Sequence, residues 1–411
     1  MSQFSLDNLP TKINSLGVSL TDFSGKGLLE QKAQYSFLCQ DIASPISITM
    51  PVRSEPYNHG RLLPIFEMNL PEGFIRHRLH EKLLRYTDPS DLLFLALQGN
   101  QGIGKLCYTS EYENELNKIP KNSDNLNDIL SWDKRESIFE YLLNRYLLGP
   151  HASGVQPKVL ASSNERATMI APDLIIKSGD EEYPHLAFNE FICMDMAKHC
   201  GLSVPEFWLS DNKTLFIMRR FDLTDTASLG MEDMCVLMKK SSQQKYQSSY
   251  EMIAKAVKNN CTHPEDIEKL FRYIVYSCLV GNGDAHLKNF SILYENLESD
   301  INLSPLYDVV CTAPYPTTDN RLALKMNKSN AFPNLKGLIQ FGKTIEIANP
   351  SIIIETLADN MASYINQCDQ WSIFPQLKTA IQSSLSHGTS SSHTDFFTFN
   401  AKHDKNRKYP K

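Results

Sequence analysis

Three regimes of hydrophobic patterning follow one another along the chain. Up to about residue 110, apolar residues come in short mixed runs, such as Ile46–Met50 and Gly104–Tyr108, separated by Gly and Pro turns. That pattern predicts a small β-rich unit with a helix from Pro71 toward Leu84. Residues 110–133 are polar and poor in large apolar side chains, as a linker or surface crossing would be. From about 134 to 376 the chain is richly patterned. Leu174-Ile-Ile-Lys177 reads as a buried strand ending on a lysine. Phe188, Phe191, Ile192 and Met196 recur at helical spacing, with Glu190 near the start and Gly201 as the stop. Thr262-His-Pro-Glu265 has the form of a capping box. The apolar positions Ile267, Leu270, Phe271, Ile274, Val275, Cys278 and Leu279 then predict a helix ending at Gly281-Asn282-Gly283, and Phe290–Tyr294 a strand. After about 380 the chain turns Ser-rich and then basic, the pattern of a solvated tail. No internal repeat is visible.

Composition narrows the class without selecting a function. Hydrophobic residues make up 42% and charged residues 21% of the 411, which excludes a wholly disordered or collagen-like chain. That length supplies substantial cores without disulfide staples or a structural metal. The net charge of −6 excludes a globally basic nucleic-acid binder. Nine cysteines are scattered singly, with no C-x-x-C, and Cys193 and Cys278 lie inside apolar runs; reduced thiols and a cytoplasmic location are expected. The first residues lack the basic and apolar regions of a signal peptide. No apolar run approaches the roughly 18 residues of a membrane span, so no membrane partner is expected.

Two segments carry glycines in phosphate-loop style. Gly99-Asn-Gln-Gly-Ile-Gly104-Lys105 fits the first part of a Walker A loop, but Leu106 stands where Ser or Thr would hold Mg²⁺, and a strand pattern follows instead of a helix. It reads as a Gly-rich hairpin turn. Ser153-Gly154-Val155-Gln156-Pro157-Lys158 offers a hydroxyl, a permissive backbone and a charge before an apolar run. Alone it is an ordinary turn. Lys177 and Glu190, however, supply the strand lysine and helix carboxylate that phosphoryl transfer from a nucleotide requires. Asp284 and Asn289 stand five residues apart, the interval at which an Asp accepts a hydroxyl proton while an Asn reaches a nucleotide-bound Mg²⁺. Lys288 between them would offset phosphoryl charge, and Asp308, 24 residues beyond Asp284, would bind metal. These groups, in this order, predict a kinase site.

With these motifs the chain resembles the HipA-like serine/threonine kinase toxins. The resemblance rests on Ser153–Lys158, Asn189-Glu190, Phe221-Asp222, Glu232-Asp-Met-Cys235, Lys245-Tyr-Gln-Ser-Ser-Tyr250, Asn282-Gly-Asp-Ala-His-Leu-Lys-Asn-Phe-Ser291 and Leu306-Tyr-Asp308, with Leu63–Glu72 matching the family's N-terminal subdomain. It implies an α+β, bilobal protein-kinase-like fold with a mainly α-helical C-lobe and a small β-rich N-terminal subdomain. The divisions expected are 1–112 for that subdomain, 113–230 for the N-lobe, 231–380 for the C-lobe and 381–411 for the tail. It further implies Mg-ATP as phosphoryl donor, with Asp284 as base, Asn289 and Asp308 as Mg²⁺ ligands, and Lys177 on phosphate, positioned by Glu190. Arg219, Arg220 and Phe221 would be the hinge along adenine, His286 and Tyr307 would also border the nucleotide, and Ser153 to Lys158 would form a mobile phosphate loop with Ser153 as autophosphorylation candidate. The partners implied are a helix-turn-helix antitoxin of HipB type, a protein substrate such as an aminoacyl-tRNA synthetase, and DNA only through the antitoxin.

This chain departs from the family's pattern at three places. His151 stands where some members carry their regulatory serine, Arg219 stands where well-known members have Glu, and Asp308 is followed by Val-Val rather than the Phe-Gly of protein kinases. Two rivals share parts of the pattern. They are a small-molecule kinase of the aminoglycoside or choline type, and a catalytically silent co-repressor acting with a DNA-binding antitoxin.

Overall fold

The structure, a computed structural model, describes residues 9–41, 44–112, 125–133, 137–146, 158–161, 173–179, 183–315 and 320–391. The first strands are β1 (Ser15–Leu20), β2 (Lys26–Gln31), β3 (Tyr35–Asp41), β4 (Tyr57–His59) and β5 (Leu106–Thr109), which form an antiparallel sheet in the order β4-β3-β2-β1-β5. Helices Gly73–Leu83 and Asp91–Gln98 belong to the same region, the first close to its expected span. Ile46–Met50 is not a strand of this sheet. It closes on itself through a single Ser47–Met50 bridge.

The second sheet is made of β6 (Lys158–Ala161), β7 (Leu174–Ser178), β8 (Phe207–Leu209) and β9 (Leu215–Arg219), in the order β6-β7-β9-β8. Its central strands each open with an unbroken apolar run, Leu174–Ile176 in β7 and Leu215–Met218 in β9, as strands covered on both faces do. Side chains alternate in direction along a strand. Leu174, Ile176, Leu215 and Ile217 accordingly join the core of the N-terminal unit, while Phe216 and Met218 join the core of the helical unit. The boundary expected near residue 112 is therefore no gap in packing. Parity also places Lys177 on the side of Ile175 and its partner Phe216, whose ring lies 5.6 Å from the ammonium. That face is covered by the helix Leu186–His199, which carries Glu190.

The helical unit surrounds a small third sheet of β10 (Gly230–Asp233), β11 (Ser291–Tyr294) and β12 (Ile301–Leu303). Its central helix, Asp266–Val280, ends at Gly281 with φ of 80°. Glycine is needed twice over there. The left-handed backbone disfavours a side chain, and an added Cβ would collide with Ser384. The expected capping box does not form: Thr262 Oγ1 instead accepts the Ile301 N–H at 2.8 Å, tying the loop to β12. The tail also starts later than expected at 381. Helix Pro375–Thr389 continues because Leu377, Ile381, Ser384 and Gly388 share one buried face. Among the described residues, no helix is long and apolar enough to cross a membrane.

The Walker-like glycine segment joins the N-terminal unit to the core. Arg220, fully buried, donates to the Gln101 carbonyl (3.1 Å), the Gly102 carbonyl (2.6 Å) and both oxygens of Asp222, and Asp222 Oδ2 accepts the Gly104 N–H at 2.7 Å. A second junction is Glu232, also buried, which accepts from Ser47 Oγ, the Ile48 N–H and Tyr294 OH. Removing one member of a buried ion pair leaves the other charge uncompensated. Arg220→Met is therefore expected to lower unfolding free energy by about 3–5 kcal/mol in urea denaturation, more than Arg220→Met with Asp222→Asn together.

Candidate active site

Three elements converge on Lys177. Its ammonium, almost wholly buried, pairs with Glu190 from the helix above and with Asp308 Oδ1 at 2.5 Å. Burial by itself would lower the lysine pKa, but the Asp308 and Glu190 carboxylates outweigh it and hold the pKa above its ordinary value. Asp308 has φ of 62°, a left-handed backbone rare outside glycine, and its carboxylate is bonded on both sides. Asp308 Oδ2 accepts from Asn289 Nδ2 at 2.7 Å.

The segment Gly281–Asn289 is pinned by its own polar groups and by Tyr307 and Thr312. Asn282 Oδ1 accepts the Asp284 N–H at 3.0 Å, Thr312 Oγ1 accepts the Gly283 N–H at 3.0 Å, and Asn289 Oδ1 accepts the His286 N–H at 2.8 Å. Tyr307 OH donates to the Lys288 carbonyl at 2.8 Å, and its ring lies 5.1 Å from that of Phe221. Asp284, in contrast, is exposed. Its Oδ1 accepts from Tyr246 OH at 2.9 Å, and the Tyr246 ring meets the buried His286 edge-on at 5.2 Å. Asp308 offers hard carboxylate oxygens beside Asn289, whose Nδ2 faces Asp308 and whose Oδ1 accepts the His286 N–H, and among the described residues no cluster of three or more His, Cys, Asp or Glu could hold a metal. A Mg²⁺ that keeps waters and takes the rest of its shell from phosphates fits such a sparse set.

The structure thus brings Lys177, Glu190, Asn289, Tyr307 and Asp308 together, with Asp284 at the open rim. Lys288 differs from expectation. Its buried ammonium is held by Glu72 Oε1 at 2.5 Å and Ser242 Oγ at 3.3 Å rather than being left for a phosphoryl group. In the expected hinge, Arg219 pairs with Asp173 and Glu206, Arg220 grips the 101–104 segment, and the Arg219 and Arg220 N–H groups bond the Glu206 and Asp173 carbonyls. Any base contact there would use other backbone groups or the Phe221 ring. Ser153, Gly154, Val155, Gln156 and Pro157 lie outside the described residues. Lys158 is described only as the start of β6, in register with Lys177.

Two contributors had no assigned role from sequence. Asn189, wholly buried, accepts the Cys311 N–H at 2.9 Å and donates to the Cys311 carbonyl at 2.8 Å, locking the helix onto the segment after Asp308. Tyr246 holds Asp284. Both sit inside motifs that carry the family resemblance, Asn189-Glu190 and Lys245–Tyr250, and that is the only sequence signal for them.

Known proteins resemble this chain in sequence and in fold. The family model described as HipA-like C-terminal domain matches residues 151–369, and that described as HipA N-terminal domain matches 24–109. Y4dM of Sinorhizobium fredii, which carries a provisional kinase name, is 29% identical over 300 residues, 67% of this chain and 68% of its own. The serine/threonine-protein kinase toxin HipA of Shewanella oneidensis is 26% identical over 202 residues, 43% of this chain and 46% of its own. A chain in the solved Shewanella oneidensis MR-1 complex of HipA, HipB and operator DNA superposes with a TM-score of 0.66 at 19% identity, covering 90% of this chain and 96% of that one. At that identity the likeness is one of fold.

Because Glu190 is as buried as Lys177, their charges are interdependent. Lys177→Met is expected to destabilise the protein by about 3–5 kcal/mol, and Lys177→Met with Glu190→Leu by distinctly less. Guanidinium denaturation of the two variants checks this, and equal losses would contradict it.

Proposed function

This chain belongs to the HipA-like family, and from that premise we propose that it is a Mg-ATP-dependent serine/threonine protein kinase. The observation that carries the proposal is the joining of Lys177, Glu190, Asp308 and Asn289 by hydrogen bonds beside an exposed Asp284. Phosphoryl transfer needs mostly positioning and neutralisation of charge, which these groups provide. Lys177 binds the nucleotide's phosphates, held by Glu190. Asp308 and the Oδ1 of Asn289 would hold Mg²⁺, which would supply charge neutralisation on those phosphates. Asp284 takes the proton from the acceptor hydroxyl, and Phe221 and Tyr307 form an aromatic border on which the nucleotide base packs.

On family analogy, the acceptor is a cytoplasmic protein, with an aminoacyl-tRNA synthetase as the first to test, and the outcome is arrested translation and growth. The antitoxin partner is a helix-turn-helix protein of HipB type, supported by the fold likeness to a chain of a HipA–HipB–DNA complex. DNA is contacted through that partner. Ser153 in the phosphate loop is the proposed site of self-limiting autophosphorylation.

Two outcomes follow. Asp284→Asn is expected to fold normally and to lose about 10²–10⁴-fold of the transfer from radiolabelled ATP, as expected for removal of a general base. Undiminished transfer would defeat the assignment. After incubation of the active enzyme with Mg-ATP, phosphopeptide mapping is expected to find phosphate on Ser153, and an unmodified loop would refute self-limitation there.

A further inference from the structure

The motif Leu63–Glu72 of the N-terminal unit has no part in the site as assigned so far, although it ends against the catalytic loop. Leu70 and Pro71 are buried, and Gly73 takes φ of 52°. The left-handed turn sharply redirects the chain as it enters the helix Gly73–Leu83, and it favours glycine at that position. Glu72 occupies the N-cap of that helix, but its side chain makes no capping hydrogen bond. The carboxylate instead reaches 216 positions along the chain to Lys288 Nζ, at 2.5 Å.

Several observations make this more than a surface pair. Both side chains are largely buried, 7% exposed for Lys288 and 17% for Glu72. Burial opposes the charge on Glu72, but Lys288 overrides it and holds the carboxyl at about 2, so the pair stays ionised at neutral pH. The neighbouring turn is bound by the same unit: Glu67 Oε2 accepts the Ser242 N–H at 3.2 Å, and Ser242 Oγ is the second partner of Lys288. Asp233 and Glu67 are further carboxylates that feel the Lys288 charge. On the far side, the Lys288 carbonyl is held by Tyr307 and the next residue, Asn289, bonds Asp308.

Lys288 is thus tied through its ammonium to Glu72 of the N-terminal unit and through its backbone to Tyr307 of the helical unit, on the loop between the proposed base and the proposed metal ligand Asn289. We propose that Glu72 is a positioning residue for phosphoryl transfer, acting through Lys288 to hold the Asp284–Asn289 loop in its working geometry. The N-terminal unit then completes the catalytic centre across the domain junction. This rests on the kinase reading of the site.

The test uses the full chain, following ADP release from Mg-ATP with dephosphorylated casein as acceptor, well below each variant's melting temperature. A displacement of about 1 Å in a reacting group costs about a hundredfold. Glu72→Gln and Lys288→Met are each expected to lower kcat about tenfold to a hundredfold, with KM for ATP within about twofold. Because Glu72 acts through Lys288, the double variant is expected to be no slower than Lys288→Met alone. A docking role alone would lower the melting temperature of Glu72→Gln and leave kcat unchanged, which would overturn the proposal. Additive losses in the double variant would overturn it too. The double variant leaves no lone charge between the two positions and covers the case in which Glu72→Gln does not fold; wild-type kcat in it also overturns the proposal. Asp284→Asn run in parallel separates the premises: if wild-type turnover does not depend on Asp284, the kinase reading falls and this proposal with it.

Discussion

A buried ammonium dictates much of this architecture. Lys177 stands on the strand β7 with almost no access to water, and an unpaired charge there would cost several kcal/mol. It is tolerated because two carboxylates arrive from separate parts of the chain, Glu190 on the covering helix and Asp308 on a left-handed loop residue. Each then needs its own support. Asn189 fastens the helix to Cys311, and Asn289 fastens Asp308 to the Asp284–Asn289 loop. The charge that would bind phosphate therefore also draws the sheet, the helix and the loop into one register.

The junction with the N-terminal unit works on the same principle. Its apolar part is the shared face of β7 and β9, which supplies contact area but little specificity of position. Polar pairs set the position. Arg220 and Asp222 grip residues 101–104, Glu232 receives Ser47 and Ile48, and Glu72 meets Lys288. A buried charge tolerates few alternative partners, so such pairs exclude shifted dockings that an apolar face alone would permit. The glycines that imitate a nucleotide loop at 99–104 belong to this junction, where their carbonyls and N–H groups meet a guanidinium and a carboxylate.

What could be read from the sequence was local. Periodicity placed the helices around Phe188–Met196 and Ile267–Leu279 and the glycine stop at 281, because a helix or strand repeats its pattern within a few residues. The spacing of Asp284 and Asn289 named the loop, since five residues span one turn and no more. The Ser-rich stretch after 380 hid the end of the last helix. Ser384 and Gly388 look like tail residues in the sequence, and they lie on a buried face only because Gly281 and Leu279 pack against them. Thr262 likewise carried a cap signal that β12 took over.

By itself, then, the sequence determined the elements, the order of the chemistry-bearing residues and the kind of site they compose. Tertiary structure alone decided which charges those residues face. Lys177 ends an apolar strand and Lys288 lies in the Asp284–Asn289 loop, but neither local pattern says which carboxylate each lysine meets. One meets Glu190 and Asp308, and the other meets Glu72 from more than 200 positions away. The physical reason is that a side chain's electrostatic partner is set by distance in space, and spatial proximity between remote segments leaves no periodic mark on the chain.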